Sequence, residues 1–87
     1  MLNFRLDVFY ATAKRLNFTK AAAELFITQP AVTKHIQELE KHFKLKLFDR
    51  NGSKTALTLA GEKLLLHTEK LIAFEKELEF DMNTLAQ

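Results

Sequence analysis

The stretch that most constrains the fold runs from Thr28 to residue 43, because its apolar residues recur at helical spacing. Intervals of four, three and four residues place them on one face of an α-helix. The four residues are Val32, Ile36, Leu39 and Phe43. Thr28 is a good N-cap, and Pro30 falls in the first turn, where its missing N–H removes no intrahelical hydrogen bond. The stretch therefore predicts a helix over residues 29–43 with one face in a core.

The opposite face of this helix carries side chains that donate and accept hydrogen bonds without being uniformly charged. They are Gln29, Thr33, Lys34 and Gln37. Side chains of this kind contact base edges and phosphates in protein–DNA complexes. They also occur on ordinary solvated helix faces, so this stretch alone leaves both interpretations open.

Chain length and composition restrict the remaining choices. Eighty-seven residues make one small domain with one modest core, to which eight Phe contribute. Two Gly and one Pro leave little for an all-β fold with many turns, and the absence of Cys excludes disulfides and thiolate chemistry. The N-terminal residues do not resemble a signal peptide, and no apolar run has transmembrane length. We therefore expect a cytoplasmic protein.

The net charge of +2 is distributed unevenly along the chain. Residues 1–58 contain ten Lys or Arg against five Asp or Glu, whereas residues 59–87 contain three Lys against six Asp or Glu. A basic first part followed by an acidic segment is typical of a polyanion-binding module joined to a segment with another role.

Two shorter helices are predicted before residue 28. Apolar residues at helical spacing indicate a helix over residues 4–15, which ends at Leu16 and Asn17 because Asn tolerates the left-handed conformation that closes helices. Thr19 is the predicted N-cap of a second helix over about residues 19–26. Its predicted buried residues are Ala21, Ala22 and Leu25. Two short helices separated by about three residues, the second with a polar face, form a helix-turn-helix pattern.

A β-hairpin is predicted after the third helix, where residues 51–54 join the run 44–50 to the run 55–57. Asn51 and Gly52, between two short apolar-rich runs, are a hairpin signal. A hairpin in this position is a wing, and its tip is predicted to carry residues suited to phosphates or a minor groove. Those residues are Arg50, Ser53 and Lys54. The alternative is a solvated surface turn.

The last segment, from Leu59 to about Leu85, predicts one long helix capped by Thr58. Leucines recur in it every seven residues, a repeat typical of a helix packed along another helix. We name Leu64, Leu71, Leu78 and Leu85 the leucine stripe, which Phe74 flanks. A helix of about 40 Å extends beyond so small a head. We therefore expect a homodimer that pairs through these five residues.

With these elements in place, the sequence resembles the N-terminal part of LysR-type transcriptional regulators from about Leu6 to Leu71. Four blocks carry the resemblance: Ala21-Ala22, Gln29-Pro30-Ala31-Val32, Leu47-Phe48-Asp49-Arg50, and Leu57-Thr58 followed by Ala60-Gly61. The resemblance implies a mainly α winged helix-turn-helix, with three helices and a two-stranded wing, followed by a long linker helix that dimerises. The implied domains are a DNA-binding head over residues 1–58 and a linker over residues 59–87.

The resemblance also implies roles for the polar residues. The family's counterparts of Gln29, Pro30, Thr33 and Lys34 approach base edges in the major groove. Those of Thr28 and Gln37 meet phosphates, and those of Arg50, Ser53 and Lys54 belong to the wing. Gln bonds adenine in a bidentate manner and Lys donates to guanine, so the chemistry agrees with these roles. The partner implied is double-stranded DNA with an inverted repeat, and no cofactor is expected.

The sequence departs from the family pattern at three positions. Leu16 and Lys44 stand where Gly is frequent, and Leu59 stands where Glu is common. A left-handed Lys44 would cost up to about 1 kcal/mol. The family's full chain continues into a two-lobed C-terminal domain that binds a small-molecule effector, and a tetramer is the alternative to a dimer in a full-length protein. We expect the present sequence to be an excised fragment, a natural short protein being the alternative.

Two other classes of function are alternatives to DNA binding. A winged helix that binds protein instead of DNA would show no DNA affinity. A metal site is conceivable on one helix face, where His35, Glu38 and His42 recur at intervals of three and four. Solvated polar residues are the more ordinary interpretation of these three. The sequence shows no phosphate-binding glycine loop and no Ser/His/Asp set, so an enzyme is not expected.

Overall fold

The computed structural model describes residues 3–87. Within that range the chain forms four helices and a two-stranded antiparallel sheet. They are α1 (Phe4–Arg15), α2 (Phe18–Leu25), α3 (Gln29–Phe43), β1 (Phe48–Asn51), β2 (Lys54–Leu57) and α4 (Leu59–Ala86). The predicted fold class, a winged helix-turn-helix followed by a long helix, is confirmed.

The core of the head lies where α1, α2 and α3 meet the base of the wing. Its largest fully buried side chains include Phe9, Leu47 and Val32. Three of the four apolar residues predicted on α3 are buried, but Phe43 is 44% exposed. Its position in the last turn of α3 extends beyond the core, and its ring contacts that of His42 instead, with centroids 4.9 Å apart.

The left-handed residue that closes α1 lies one position earlier than the Asn that the sequence analysis assigned to that conformation. Leu16, not Asn17, adopts the left-handed conformation, with φ 49°. Asn17 has extended backbone and acts as the N-cap of α2, where its side-chain oxygen accepts a hydrogen bond from the Lys20 N–H at 2.8 Å. The prediction that Thr19 caps α2 was therefore wrong. Both residues are good caps, and the early helix end places Asn17 at the start of α2.

The wing is a tight hairpin in which Phe48 pairs with Leu57 and Asn51 pairs with Lys54. Its two loop residues are Gly52 and Ser53, whereas the sequence pattern placed Asn51 in the turn. Gly52 has φ 59°, which suits the first position of a hairpin turn that requires positive φ. The hairpin is confirmed, with the turn shifted by one residue.

The start of α4 is locked onto the segment before the wing. The Thr58 N–H donates to the Leu47 carbonyl at 3.1 Å, and the Thr58 hydroxyl donates to the Lys46 carbonyl at 2.6 Å. The same hydroxyl accepts from the Gly61 N–H at 3.0 Å, so Thr58 is the N-cap as predicted. A Cβ on Gly61 would collide with the Leu47 carbonyl oxygen and the Leu57 side chain. Glycine is therefore required by close packing.

The long helix packs on the head through its first half and extends past it. Thr68 is fully buried, and its hydroxyl donates to the Leu64 carbonyl at 2.7 Å. Lys14 on α1 lies 3.6 Å from Glu69 on α4. From residue 76 to residue 87 every residue is exposed, and the molecule measures 52 × 26 × 19 Å. None of the helices within residues 3–87 has the length and apolarity needed to cross a membrane.

Candidate nucleic-acid interface

The outward face of α3 presents the polar residues that the sequence predicted for DNA contact. Thr28, Pro30, Lys34 and Gln37 are exposed, and Gln29 and Thr33 are half-buried. Val32, Ile36 and Leu39 fix this face by anchoring the opposite side of α3 in the core. These six residues, five of them polar, therefore lie on one side of α3, and Thr28 at its N-cap belongs to the same surface.

Two side chains in the first turns of α3 are held together by a hydrogen bond. The Gln29 Nε2 group donates to the Thr33 hydroxyl at 3.1 Å. The remaining Gln29 N–H and the amide oxygen stay available to an external partner. The Thr28 hydroxyl accepts from the Ala31 N–H at 3.2 Å, which leaves its own proton to donate. The first turns thus present oriented donors and acceptors.

A groove separates α3 from the wing. Thr33 and Gln37 line it from the helix, and Arg50 and Asn51 line it from β1. The structure therefore brings residues predicted for the recognition helix and for the wing to one continuous surface. A single extended ligand can contact both elements from this side.

Arg50 is held in the groove by an aromatic ring that sequence reasoning did not single out for this role. Its guanidinium carbon lies 4.2 Å from the centroid of the Phe18 ring. Phe18 is 5% exposed, and its ring packs edge-on against Phe48 at 5.4 Å. Stacking on an aromatic face attracts a guanidinium and limits its rotation. The only sequence signal is an aromatic residue at the start of α2, which more simply indicates a core position.

The predicted wing tip needs one correction. Arg50 pairs with Thr55 within the hairpin, one step back from the Asn51–Lys54 pair that flanks the loop. It lies one pair from the loop and lines the groove beside α3. Ser53 in the loop and the adjacent Lys54 are exposed at the end of the hairpin, as predicted.

Glu40 connects α3 to the segment that leads into the wing. Its Oε2 accepts a hydrogen bond from the Leu47 N–H at 2.8 Å, and its Oε1 lies 3.8 Å from Lys46 Nζ. The Glu40 side chain is only 13% exposed, so the backbone hydrogen bond satisfies a largely buried carboxylate. This contact fixes where the wing leaves the head, a role that the sequence did not reveal.

The residues weighed as a metal site have other neighbours. The His35 ring packs edge-on against Phe4 with centroids 5.3 Å apart, and its Nδ1 lies 3.4 Å from the Glu38 carboxylate. His42 packs against Phe43. Across residues 3–87, no three His, Cys, Asp or Glu side chains are grouped closely enough to hold a metal ion.

Elsewhere, burial raises the pKa of the Asp7 carboxyl, and Glu75 on α4 raises it further.

The five residues predicted for pairing divide into two groups. Leu71, Phe74, Leu78 and Leu85 are 54%, 68%, 41% and 77% exposed. Leu64 is half-buried and packs against the core of its own head. The leucine stripe therefore begins inside the head and becomes an exposed apolar surface along the rest of α4.

The sequence of this chain is similar to those of known bacterial regulators. Residues 4–62 match the family described as "Bacterial regulatory helix-turn-helix protein, lysR family". The chain is 43% identical over 67 residues to the HTH-type transcriptional regulator CitR of Bacillus subtilis, covering 77% of this chain and 23% of CitR. It is 42% identical over 73 residues to a probable RuBisCO transcriptional regulator of Synechocystis sp., covering 84% and 21%. The matched segments span less than a quarter of either relative.

Solved structures include the same fold in a complex with DNA. The chain superposes on BenM_DBD, in its complex with benA site 1 DNA, with a TM-score of 0.92 and 28% sequence identity. The superposition covers 100% of this chain and 98% of that one.

Proposed function

This chain belongs to the lysR family of bacterial regulatory helix-turn-helix proteins, and on that premise we propose that it binds double-stranded DNA sequence-specifically within a transcriptional regulator. Its relatives are named as regulators and not as enzymes. Residues 1–58 serve as the DNA-binding head and residues 59–87 as the linker helix. In a full-length regulator of this family, the small-molecule effector would bind a C-terminal domain, and a tetramer is the alternative to a dimer. The proposed localisation is the cytoplasm, where bacterial DNA lies.

The observation that carries this proposal is the shared surface of α3 and the wing. The polar face of α3 is exposed, and Arg50 lies across a groove from Thr33 and Gln37. An α-helix fits the major groove of B-DNA, and a basic hairpin beside it reaches the flanking backbone or minor groove. The head is also the basic part of the chain, as a polyanion ligand requires.

We assign the residues of this surface to two kinds of contact. Base edges are read by the first turns of α3, where Gln29 offers a bidentate donor and acceptor and Lys34 donates. Thr33 adds a hydroxyl and a methyl group, and Pro30 contributes by shape. The backbone-contacting residues are Thr28, Gln37, Arg50, Ser53 and Lys54.

The stacked Arg50 supports the assignment to the backbone. Because Phe18 limits the movement of the guanidinium, less conformational entropy is lost when Arg50 binds. Its position beside the groove suits a phosphate at the edge of the major groove, where a planar guanidinium forms bidentate hydrogen bonds.

Homodimerisation through the leucine stripe and Phe74 completes the proposal. The apolar side chains of α4 at Leu71, Phe74, Leu78 and Leu85 are exposed in the single chain, and the seven-residue repeat of the leucines suits another helix. A symmetric dimer places its two heads on the two halves of an inverted repeat.

Fluorescence anisotropy with a labelled random-sequence duplex, measured across a salt series, tests DNA binding. We expect binding at low salt and a linear fall of log K with log salt, because Lys and Arg displace counterions from phosphates. Lys54→Ala should reduce the slope by about one. Selection from a random library should then recover an inverted repeat.

No binding at low salt, either by the chain itself or by a version fused to an artificial dimeriser, would refute the proposal. That result would favour the alternative, a winged helix that binds protein. Binding that appears only in the fused version would show that the head binds DNA but that α4 alone does not hold the dimer.

A further inference from the structure

Within residues 3–87, Phe26 is the most exposed of the large apolar residues, at 95%. It lies in the turn between α2 and α3, where it is the C-cap of α2. Its φ of 57° is a left-handed value that a residue with a Cβ disfavours. Single exposed apolar residues are common on protein surfaces, but in Phe26 nearly complete exposure coincides with an unfavourable backbone conformation.

The two other left-handed non-glycine residues of the described chain do not combine these features. Leu16 is 45% exposed, so the chain itself covers more than half of it. Lys44 carries a charge that water solvates well. Non-glycine residues held in a left-handed conformation are frequent where proteins bind ligands. Phe26 is therefore the residue of the three that gains most from an external apolar partner.

The backbone of Phe26 is held on both sides. Its N–H donates to the Ala23 carbonyl at 3.3 Å, and the next N–H, that of Ile27, donates to the Ala22 carbonyl at 3.1 Å. Ala22 is buried, and Ile27 packs against the core of the head. The turn therefore presents the aromatic ring to solvent from a fixed position.

This position lies beside the start of α3. Thr28, the N-cap of α3, follows Phe26 by two residues, so their Cα atoms lie at most about 7 Å apart. The major groove of B-DNA is about 12 Å wide, so a duplex that holds the start of α3 extends to both sides of it. A duplex that contacts Thr28 and Gln29 therefore comes within reach of the Phe26 ring.

The surroundings of the turn are compatible with DNA. Residues 25–37 include no Asp or Glu, so this stretch offers no carboxylate that would repel a phosphate. The N-terminus of α3 favours negative charge through its free N–H groups and its dipole. Duplex DNA also has apolar surface for a ring, because the thymine methyl group projects into the major groove and each deoxyribose carries C–H groups.

We propose that Phe26 is a DNA-binding residue whose ring packs against apolar surface of the duplex, a thymine methyl group or a deoxyribose, at the edge of the major groove. This inference rests on the proposed function, to which it adds an apolar contact beside the polar ones of α3 and the wing. Because the backbone of Phe26 is already held, binding costs little conformational freedom there.

Fluorescence anisotropy on the inverted repeat recovered by selection measures this contact. Phe26→Ala should weaken binding about tenfold, because the apolar area of the ring is no longer removed from water. The slope of log K against log salt should stay the same, since an uncharged ring displaces no counterions. Leu45→Ala is the matched control and should bind as the wild type does. Leu45 is also exposed, but it follows the end of α3, about 20 Å from the start of that helix.

Phe26→Gly separates the contact from the stability of the fold. Glycine adopts positive φ without strain, so this variant should raise the urea concentration at the midpoint of unfolding. It should nevertheless bind DNA as weakly as Phe26→Ala does. Higher stability with lower affinity excludes unfolding as the cause of the loss.

Replacement of each thymine in the selected duplex by deoxyuridine, which lacks the methyl group, identifies the apolar partner on DNA. A thymine contact predicts one position at which this replacement weakens the wild type but not Phe26→Ala. A deoxyribose contact predicts that the wild type tolerates every replacement while Phe26→Ala binds all the duplexes more weakly.

A fluorescent reporter tests the contact directly. The chain has no Trp, so Phe26→Trp introduces a single indole, and saturating DNA should protect it from quenching by acrylamide. The indole of Leu45→Trp should stay accessible. An unprotected indole at position 26, an unchanged affinity in Phe26→Ala, or a changed salt slope in that variant would overturn this contact while leaving DNA binding in place. A wild-type chain that binds no duplex would refute the proposed function and this contact with it.

Discussion

At the scale of single residues, the hydrogen bond from Gln29 to Thr33 organises the side chains that we assign to base reading. A flexible amide loses rotamer freedom when it binds a base, and a neighbour that already holds it reduces this loss. Arg50 is prepared in the same way by the ring of Phe18. Contacts on either side of the groove are thus oriented by the chain itself before any ligand arrives.

Gln29→Ala should relax discrimination at one base position by about 1–3 kcal/mol, because a bidentate base contact is lost. Binding to the selected inverted repeat and to its single-base variants, measured at constant salt, gives this value. Lys54→Ala is the control, and it should weaken binding to all duplexes about equally. A Gln29→Ala variant that weakens every duplex equally would refute its base-reading role.

At the scale of elements, three helices end in the same unusual way. Leu16, Phe26 and Lys44 are the non-glycine residues with positive φ within residues 3–87, and they follow α1, α2 and α3 respectively. Side chains with a Cβ disfavour this conformation, which glycine adopts readily. Lys44 is left-handed, with φ 58°, so the cost of that conformation for a lysine applies here. These helix ends are held by their N–H groups, as when Lys44 donates to the Glu40 carbonyl, and by the packing of the helices that they connect.

Lys44→Gly should raise the free energy of unfolding by up to about 1 kcal/mol, because it removes the strain of a left-handed lysine. Lys41→Gly is a matched control, since Lys41 is also exposed but lies within α3. It should lower stability by about 1 kcal/mol. Urea denaturation of both variants measures the two changes, and equal signs would contradict this account of the helix end.

At the scale of the whole molecule, α4 connects the head to the leucine stripe, through which we propose that two copies pair. Gly61 allows α4 to lie directly against the Leu47 carbonyl. The Thr58 N–H donates to that carbonyl, and the Thr58 hydroxyl accepts from the Gly61 N–H. The start of α4 is therefore fixed relative to residues 46–47, which Glu40 on α3 also holds. Pairing of two such helices sets the distance between two recognition helices, and hence the spacing of half-sites.

Leu71→Asp should separate the two heads on DNA, because Leu71 is 54% exposed within the leucine stripe and a charge there opposes pairing. We expect affinity for the inverted repeat to fall about 100-fold or more, since two linked sites gain that much over one. Affinity for a single half-site should not change. Leu66→Glu, at an exposed position on the opposite side of α4, is the control and should keep its preference for the inverted repeat. An unchanged inverted-repeat affinity in Leu71→Asp would refute pairing through the leucine stripe.

The sequence by itself determined the elements whose signals are local. The spacing of Val32, Ile36 and Leu39 fixed the buried face of α3, and Thr28 and Thr58 marked two helix starts, because periodicity and capping depend only on near neighbours in the chain. Local signals also located the hairpin. They placed the N-cap of α2 wrongly at Thr19 instead of Asn17, since both are good caps and the start of α2 depended on where α1 ended.

The tertiary structure decided what depends on residues far apart in sequence. It placed Arg50 over Phe18 and tied Glu40 to Leu47, contacts that no spacing rule describes. It also divided the leucine stripe, burying Leu64 against the head and leaving Leu71 exposed. A repeat specifies which side chains share a helix face. Whether that face meets its own core or another molecule depends on where the head ends, and only the packing of the whole chain determines that point.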